Sequence, residues 1–288
     1  MKNFELFLEL TRLKKPIGFM LLFWPCLWGL SLALQFSNDH YIFLKYCFLF
    51  FFGAVLMRSA GCIVNDILDR NIDVMVERTK NRPIASGKIS VKKSLIYVFL
   101  LCSIAFLILI QFNLNTIILG LASMPFAFSY PLMKRFTYWP QLFLGITFNY
   151  GLVMAWVSLT NEFSIYPLIL YFGAIFWTLG YDTIYGFQDI KDDEIIGVKS
   201  TSIKFKKNPK LFLLVCYLIF YLSIFVIGVL MSYSIYYFAF SVLIFFHLIV
   251  FQIRPLNISK PEMCLKKFKS NNFLGLLVFI NILIGGNF

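Results

Sequence analysis

The chain has 288 residues, 60% of them hydrophobic and 19% aromatic, and its mean hydropathy is +0.79. Soluble globular domains are only about 45–50% apolar, so this composition excludes an ordinary soluble protein and predicts that lipid covers most of the surface. The formal net charge of +12 would suit a nucleic-acid partner. In a multi-pass membrane protein, however, basic residues collect in loops on one side, so we expect a lipid bilayer and no nucleic acid as the partner.

Cysteine, histidine and the N-terminal segment narrow the class further. The six cysteines include no C-x-x-C pair and lie mostly within apolar runs, which predicts reduced thiols and neither disulfides nor a cysteine metal site. His40 and His247 are too few and too far apart for a zinc or haem site. Residues 1–16 resemble neither a cleavable signal peptide nor an Arg- and Ser-rich transit peptide, so we expect a protein of the bacterial inner (cytoplasmic) membrane.

Apolar runs of about 17–25 residues are long enough to cross a bilayer as helices. Such runs recur along the whole chain and predict an all-α polytopic protein of about nine transmembrane helices in a single domain, residues 1–288. Short polar hairpins separate the third run from the fourth and the seventh from the eighth. The predicted spans are residues 17–35, 41–63, 94–111, 114–131, 141–160, 164–182, 211–230, 234–252 and 272–287.

The distribution of charge predicts the orientation of these spans. Of the 26 basic residues, all but Lys45 and Arg58 fall in the N-terminal segment or in the loops after even-numbered spans. Because positively charged loops stay in the cytoplasm, we expect the N-terminus and these loops on the cytoplasmic side. Of the 14 acidic residues, only Asp39 and Glu162 fall on the opposite side, so two long cytoplasmic loops are where a functional site is expected.

The first acidic cluster lies where the second span leaves the membrane. Side chains on a helix are about 100° apart per residue, so Asn65, Asp66, Asp69 and Asp73 would project within an arc of about 100°. Neighbouring carboxylates repel one another, and near a bilayer each charge also loses hydration. Arg58 lies two turns earlier on the same face, but one cation does not neutralise three carboxylates, so further positive charge must offset them.

The second acidic cluster lies where the sixth span leaves the membrane. If this segment is helical, Asp182, Asp189 and Asp193 align within an arc of about 40°, whereas Asp192 points elsewhere. Gly186 would loosen this geometry if it breaks the helix. One such cluster is typical of a solvated helix end, but two of them at the same membrane face favour binding of metal and phosphate.

Carboxylate oxygens are hard ligands that suit Mg²⁺, an ion that keeps several waters and is commonly shared with substrate phosphates. Two facing clusters therefore predict magnesium on both sides of one diphosphate. Basic side chains occur in the same loops, where Arg contacts phosphate bidentately and Lys acts as a point charge. A topology-setting role is the alternative for all of them, and it is the role we assign to Lys206, Lys207 and residues 260–269. The candidate phosphate contacts are Arg78, Lys80, Arg82, Lys134, Arg135 and Lys199.

These motifs resemble the UbiA superfamily of intramembrane prenyltransferases. The first Asp-rich motif of that superfamily is similar to residues 65–73, which read N-D-x-x-D-x-x-x-D. The similarity continues in R-T-x-N-R-P at residues 78–83. Residues 181–201, with Y-D-T-x-Y, D-x-x-x-D and G-x-K-S-T, are similar to the second. Residues 130–141 and 12–25 resemble the 4-hydroxybenzoate branch in particular, and only Lys14 departs from it, at a peripheral position. The resemblance extends from about residue 10 to residue 205.

The resemblance implies nine helices around a central cavity that is open toward the cytoplasmic side. It also implies Mg²⁺-dependent transfer of a polyprenyl group from polyprenyl diphosphate to 4-hydroxybenzoate. The group would join the ring carbon ortho to the hydroxyl, with release of diphosphate, in ubiquinone biosynthesis. An acceptor of the dihydroxynaphthoate, haem or chlorophyllide type is the alternative within the superfamily, and residues 130–141 argue against it.

The resemblance also assigns roles to the candidate residues. Asp69, Asp73, Asp189 and Asp193 would hold magnesium as catalytic residues, while Asp66 and Asp182 would be further metal ligands or would orient the others. Arg58 is a candidate for the benzoate carboxylate or, equally, a structural partner of Asp66 or Asp69. The remaining substrate-binding candidates are Asn65, Arg78, Lys134, Arg135 and Lys199.

Two classes outside the enzymes were weighed against this interpretation. A transporter would place its coupling charges near the bilayer midplane on broken helices. Here the acids lie at helix exits on one face, and only Arg58 lies deep in a span. A scaffold with acidic loops would need neither metal nor paired aspartate motifs, so metal dependence separates it from an enzyme.

Overall fold

The computed structural model describes residues 2–37 and 39–286 of the chain. Every regular element in these ranges is helical, and nine of the helices are long and apolar enough to cross a membrane. The predicted all-α polytopic fold with nine spans is therefore confirmed for the described ranges. The ends of the predicted domain and of its last span, residues 1, 287 and 288, lie outside them.

The helices follow one another with short connections, apart from the two long loops that the sequence indicated. The helices are α1 (Lys2–Thr11), α2 (Ile17–Ser37), α3 (His40–Leu68), α4 (Arg70–Asp73), α5 (Val91–Leu109), α6 (Leu114–Ser129), α7 (Met133–Phe136), α8 (Pro140–Thr160), α9 (Ile165–Gly186), α10 (Ile190–Ile196), α11 (Thr201–Lys204), α12 (Pro209–Leu230), α13 (Ile235–Phe246) and α14 (Pro261–Gly285). The nine spans found in the described ranges are formed by α2, α3, α5, α6, α8, α9, α12, α13 and α14. A 3₁₀ turn, Tyr130–Leu132, extends α6, and a π-helical turn, His247–Ile253, extends α13.

Side-chain caps explain where several spans begin. Asp39 accepts the backbone N–H of Ile42 at 2.9 Å, and Asn113 accepts that of Thr116 at 2.9 Å. Each cap satisfies an amide that the first turn of the helix leaves without a backbone partner. Proline stands in the first turn of α8, α12 and α14, where its missing N–H and fixed φ fit the helix start.

Two predicted spans differ from the observed helices at their polar ends. The span predicted at 41–63 continues as α3 to Leu68, because its aspartates are buried and paired and so do not end the helix. The span predicted at 272–287 begins at Pro261, so the basic segment 260–269 is mostly helical. Within that segment Lys267 also has a structural contact, because it is buried and donates through Nζ to the Phe251 carbonyl at 2.5 Å.

The core lies where α2 packs between α3, α8 and α14, with α9 and α12 behind it. Trp28 and Trp177 have ring centroids 5.0 Å apart, and Trp177 stacks on Phe220 at 5.7 Å. Close approach of α14 requires a glycine, since a Cβ at Gly275 would lie 2.3 Å from Trp24 Cδ1. The exposed apolar side chains of α3, α5, α12 and α13 face outward, as lipid-facing surfaces do.

All six cysteines are free thiols, as predicted. Loops 69–90 and 187–200 meet at the same end of the bundle, where Arg78 pairs with Asp189. The connection between α6 and α8 reaches the same end, because Lys134 pairs with Asp69. The topology therefore brings both acidic motifs to one mouth of the bundle.

Candidate active site

A cavity of about 320 Å³ opens at that end of the bundle, and both acidic motifs line it. We call it the polar cavity. It confirms the predicted central cavity, and its walls come from α2, α3, α8 and α9, from the 3₁₀ turn after α6 and from the long loops. Its charged and amide-bearing side chains are Arg12, Lys15, Arg58, Asn65, Asp69, Asp73, Arg78, Arg82, Lys134, Gln141, Asp182, Asp189, Asp193 and Lys199.

The first cluster, Asp66, Asp69 and Asp73, is neutralised by protein cations. Asp66 accepts Arg12 Nη2 at 2.5 Å and Arg82 Nη1 at 3.2 Å. The same Arg82 nitrogen lies 2.8 Å from an oxygen of Asp73. Only 2% of Asp66 and 5% of Asp73 is exposed, so both carboxylates depend on these partners. The sequence indicated that Arg58 alone was insufficient, and the structure supplies two further arginines.

Asp69 is different, because only one of its two oxygens is satisfied. Lys134 Nζ lies 2.5 Å from Asp69 Oδ2, whereas Oδ1 is buried and has no hydrogen-bond partner among the described residues. Burial raises the pKa of the Asp69 carboxyl, and Lys134 opposes that shift. An unsatisfied buried carboxylate oxygen beside a cavity is the type of atom that a bound cation would stabilise.

The second cluster, Asp182, Asp189 and Asp193, does not lie on one continuous helix. Gly186 ends α9, and the chain turns before Asp189 caps α10. The single 40° arc predicted for these aspartates is therefore wrong, although all three still line the polar cavity. Arg78 donates to both oxygens of Asp189, with Nε at 2.8 Å from Oδ1, and to the Tyr185 hydroxyl at 3.2 Å.

Asp182 and Asp193 have no ion-pair partner within the described ranges. Burial and the neighbouring Asp189 raise the pKa of Asp193 to about 6. Lys134 and Arg78 lower this pKa but do not cancel the rise. Asp182 and Asp193 therefore face the cavity as carboxyl groups without a direct ion pair.

Arg58 lies deeper, at the inner end of the polar cavity. No ion pair or hydrogen bond of the described residues involves its guanidinium group, which packs over the Phe148 ring at 5.2 Å from the centroid. Asp66, one of its two predicted partners, is already held by Arg12 and Arg82. The guanidinium group also lies close to α2, because a Cβ at Gly18 would be 2.9 Å from Arg58 Nε.

A second cavity of about 380 Å³ continues from this point, between α3, α5, α6 and α8. We call it the apolar chamber. Three residues, Arg58, Tyr130 and Phe148, line both cavities, and we call them the neck. Apart from the neck, its walls are almost entirely aliphatic, aromatic or sulfur-containing side chains. A ligand that crosses the neck would meet charge on one side and hydrocarbon on the other.

The other predicted substrate contacts fall into two groups. Asn65 and Lys199 line the polar cavity, and Lys199 Nζ donates to the Phe136 carbonyl at 3.2 Å. Arg135, in contrast, is exposed and is not among the cavity-lining residues. Its Nη2 donates to the Leu68 carbonyl at 2.7 Å, so its charge caps the C-terminal end of α3.

Sequence reasoning missed two contributions to this site. Arg12 was counted with the basic N-terminal segment, yet it pairs with a carboxylate 54 positions further along the chain. Phe148 lies within an apolar span and is indistinguishable by sequence from the other phenylalanines. Neither role has a local signal, although Arg12 does belong to the motif 12–25 that carried the resemblance.

The chain was then compared with known proteins. The sequence profile of the UbiA prenyltransferase family matches residues 22–282. The chain belongs to this family. A mitochondrial 4-hydroxybenzoate polyprenyltransferase of Drosophila melanogaster is 41% identical, and the match covers 96% of this chain and 70% of the relative. The protein of the same name in Homo sapiens is 42% identical, and the match covers 97% of this chain and 75% of the relative. A 4-hydroxybenzoate octaprenyltransferase of Nitrosomonas eutropha is 38% identical and covers 98% of this chain and 97% of its own.

Solved structures share the fold at lower identity. A UbiA homolog from Aeropyrum pernix K1 superposes with a TM-score of 0.76 at 22% identity, over 92% of this chain and 97% of that one. A UbiA homolog from Archaeoglobus fulgidus, bound to GPP and Mg²⁺, superposes with a TM-score of 0.67 at 16% identity, over 96% and 98%. At these identities the likeness establishes the UbiA fold.

The donor set of this UbiA family member fits a metal that is shared with a ligand. Among the described residues, no group of three or more His, Cys, Asp or Glu side chains converges to hold a metal ion alone. The site does offer the unsatisfied Asp69 Oδ1 and the unpaired Asp182 and Asp193. Mg²⁺ bound by one or two carboxylates takes its remaining ligands from water and substrate phosphate, so these residues fit the ion.

Proposed function

We propose that this UbiA family member transfers a polyprenyl group from polyprenyl diphosphate to the ring carbon of 4-hydroxybenzoate ortho to its hydroxyl. Diphosphate is released, and the product belongs to ubiquinone biosynthesis. The observation that carries the proposal is the neck, which joins a charged cavity to an apolar chamber. Relatives that bear this activity in their names, 38–42% identical over nearly the whole chain, support the same acceptor and donor.

The donor's diphosphate would occupy the polar cavity. We propose that Asp69, Asp73, Asp189 and Asp193 hold Mg²⁺ there, with Asp182 as a further ligand or orienting group. Asp66 does not line the cavity and is held by Arg12 and Arg82, so its proposed role is to orient these two arginines. The metal would neutralise the diphosphate and so promote cleavage of the allylic C–O bond. A UbiA homolog of the same fold was solved with GPP and Mg²⁺, which supports this ligand pair.

Protein cations would assist the metal. Lys134, Arg78 and Lys199 all line the polar cavity, and Lys134 and Arg78 pair with Asp69 and Asp189, one aspartate of each cluster. Their charges would bind phosphate oxygens and stabilise the departing diphosphate. Asn65 is proposed as a polar contact near the reacting carbons. Arg135 is left out of this group because it does not line the cavity.

The acceptor would sit at the neck. A guanidinium group without an ion-pair partner is suited to bidentate binding of a carboxylate, so we propose that Arg58 binds the carboxylate of 4-hydroxybenzoate. The aromatic rings of Phe148 and Tyr130 line the same point and would exclude water. Their faces would also stabilise positive charge on the allylic carbons while the acceptor ring attacks.

The hydrocarbon tail of the donor would extend through the neck into the apolar chamber. Burial of the tail there is favourable at about 25 cal/mol per Å² of apolar surface, as for any apolar group. Tail and diphosphate would thus be held on opposite sides of the acceptor, which positions the allylic carbon at the neck.

The chain is a multi-pass membrane protein, and we propose the bacterial inner membrane as its location, with the N-terminus and the site loops in the cytoplasm. The confinement of nearly all basic residues to one set of loops supports the orientation. The whole chain, residues 1–288, is proposed as one prenyltransferase domain. Cysteine accessibility in inverted and right-side-out vesicles tests the orientation, and membrane fractionation of the source cells tests the compartment.

The direct test is a product assay. Membranes that carry the protein are incubated with 4-hydroxybenzoate, a polyprenyl diphosphate and Mg²⁺, with an EDTA-treated sample beside them. Metal-dependent formation of prenylated 4-hydroxybenzoate is the expected result. Turnover of a dihydroxynaphthoate in place of 4-hydroxybenzoate would contradict the acceptor while keeping the reaction class. An Arg58→Met variant should raise KM for 4-hydroxybenzoate about 10²-fold, with little change in KM for the donor.

A further inference from the structure

The last span, α14, contributes one side chain to the polar cavity. Among the described residues of α14, only Phe268 lines this cavity, and it lies far beyond the motifs that carry the family resemblance. Between ring centroids, Phe268 lies 4.5 Å from Tyr185 and 5.8 Å from Tyr181. Both tyrosines belong to the end of α9. Phe268 therefore packs on the part of α9 that leads into the second aspartate cluster.

Tyr185 in turn contacts Arg78 in two ways. Arg78 Nη1 donates to the Tyr185 hydroxyl at 3.2 Å, and the Arg78 guanidinium carbon lies 5.4 Å from the centroid of the same ring. A planar guanidinium group that is held by both a ring face and a hydroxyl group has a fixed orientation. In that orientation Arg78 Nε lies 2.8 Å from Asp189 Oδ1. The Tyr185 ring therefore sets the direction in which Arg78 presents its remaining N–H groups to the cavity.

A buried amide network holds α14 at the level where Phe268 meets Tyr185. Asn271 is fully buried, and its Oδ1 accepts Trp177 Nε1 at 2.8 Å and Gln252 Nε2 at 3.0 Å. The Asn271 amide also donates to the carbonyl of Phe268 at 3.1 Å. A buried polar network whose members are paired fixes one arrangement of the helices that carry it. Because Trp177 lies in α9, this network ties α14 to the helix that carries Tyr185.

We propose that Phe268 is a positioning residue: it supports the Tyr185 ring and thereby orients Arg78 toward the diphosphate of the donor. The inference rests on the proposed function, because it takes Arg78 as a phosphate contact. Phe268 acts through Arg78, since a hydrocarbon ring has no donor for phosphate oxygens. Without the Phe268 ring, Tyr185 is free to move and no longer fixes the plane of the guanidinium group. Donor binding then weakens, whereas the proposed acceptor contact at Arg58 is unchanged.

The first test is steady-state kinetics of Phe268→Ala with geranyl diphosphate, 4-hydroxybenzoate and Mg²⁺. We expect kcat/KM for the donor to fall about tenfold, because misplacement of a positioning contact has effects of this size or larger. The KM for 4-hydroxybenzoate should stay within about twofold, since the acceptor contact is separate. Phe268→Tyr keeps the ring and should retain the unmodified kinetics. Phe273→Ala is the matched control, because Phe273 lies in the same helix, is 56% exposed and does not line the cavity.

The second test is a double-mutant cycle with Arg78→Met, which shows whether the effect passes through the arginine. In the Arg78→Met background, Phe268→Ala should change kcat/KM for the donor less than about twofold, since residues that act through one another are not additive. The same loss in both backgrounds would overturn the inference, because Phe268 would then act on the substrate or the fold without Arg78.

Phe268→Leu keeps the inference testable if Phe268→Ala does not accumulate in membranes. It retains apolar bulk without a ring, so it should lower kcat/KM for the donor in the same direction. An unchanged donor kcat/KM in whichever variant folds would overturn the positioning role. Absence of product from the unmodified protein would instead refute the proposed function.

Discussion

The two aspartate clusters of this protein share a cavity but not an electrostatic state. Asp66 and Asp73 are buried and held by Arg12 and Arg82, which satisfy their charge within the protein. Asp182 and Asp193, in the second cluster, have no ion-pair partner in the described part of the chain. Internal ion pairs therefore fix one side of the cavity, whereas the other side includes two carboxyl groups without a direct ion pair.

This difference indicates a division of labour between the clusters. Ion pairs that are buried hold their partners in place, since loss of one member leaves a charge without hydration. The first cluster thus fixes the wall on which Asp69 and Lys134 face the ligand. Carboxylates without an ion pair, such as Asp182 and Asp193, instead favour binding of a cation, because the cation offsets the cost of their desolvation and their mutual repulsion. The second cluster should be the side that responds most to added metal.

The largest expected effect is on turnover. Asp69→Asn and Asp189→Asn should each lower kcat about 10³-fold, because each removes a proposed anionic metal ligand from one side of the diphosphate. Both variants should still accumulate in membranes. The measurement is product formation per amount of protein that is extracted and folded.

Asp192→Asn is the matched control for these two variants. Asp192 lies three residues after Asp189 in α10 but is not a cavity-lining residue, and its carboxylate accepts the Glu77 backbone N–H at 3.1 Å. Its kcat should stay within about threefold of the unmodified protein, as for changes remote from the reacting groups. Loss of activity in all three variants alike would contradict the assignment of Asp69 and Asp189.

The next largest effect is on the free energy of unfolding, and it should differ between Arg82 in the first cluster and Arg78 in the second. Arg82→Met should destabilise the protein by about 3–5 kcal/mol, because it leaves Asp73 buried without its cation. Arg78→Met should cost about 1 kcal/mol or less, since the Arg78 side chain is 38% exposed and its pair is accessible to water. Unfolding of the purified proteins in the same detergent measures both. An equal loss of stability in both variants would contradict a structural role that is confined to the ion pairs of the first cluster.

A smaller effect should appear in the pH dependence of stability without metal. The pKa of Asp193 is raised from 3.8 to about 6, so ionising this carboxyl opposes folding. That cost is absent below pH 3.8, grows between pH 3.8 and about 6, and is constant at higher pH. Asp193→Asn should therefore raise the melting temperature in EDTA by a few degrees at pH 8 and by nothing near pH 4. A lower melting temperature at pH 8 would show that Asp193 has a stabilising partner.

The smallest effect is on KM for the donor, and it should differ between the adjacent residues Lys134 and Arg135. Lys134→Gln should raise KM for the donor, because Lys134 faces the cavity beside Asp69. Arg135→Gln should leave that KM within about twofold and should destabilise α3 by about 1 kcal/mol, the usual value of a helix-end interaction. Steady-state kinetics with donor varied at saturating acceptor measures both. A larger KM effect for Arg135 would place its side chain on the phosphate after all.

Much of the fold follows from sequence because the bilayer restricts it. Apolar run length and one-sided basic loops are sufficient to predict nine spans, and the N-D-x-x-D and Y-D-T motifs mark both walls of the site. Sequence fails where long-range contacts decide the structure. The pairing of Arg12 with Asp66, the exclusion of Arg135 and the burial of Lys267 all depend on helices that are distant in the chain.

The break at Gly186 has another cause. Helical periodicity placed Asp182, Asp189 and Asp193 on one stripe, but Gly186 ends α9 and Asp189 begins a new helix. The three carboxylates still line one cavity, and Arg78 ties the new helix to the first loop. Their shared cavity is thus a tertiary property, and helical spacing alone does not account for it.

The most direct test of the account is the metal dependence of donor binding. Geranyl diphosphate is titrated into the purified protein by calorimetry, in Mg²⁺ and in EDTA, without any acceptor. The account predicts binding in Mg²⁺ that is lost in EDTA and is lost in Mg²⁺ for both Asp69→Asn and Asp189→Asn. Equal binding with and without metal, or undiminished binding by either variant, would contradict a diphosphate site held between the two clusters.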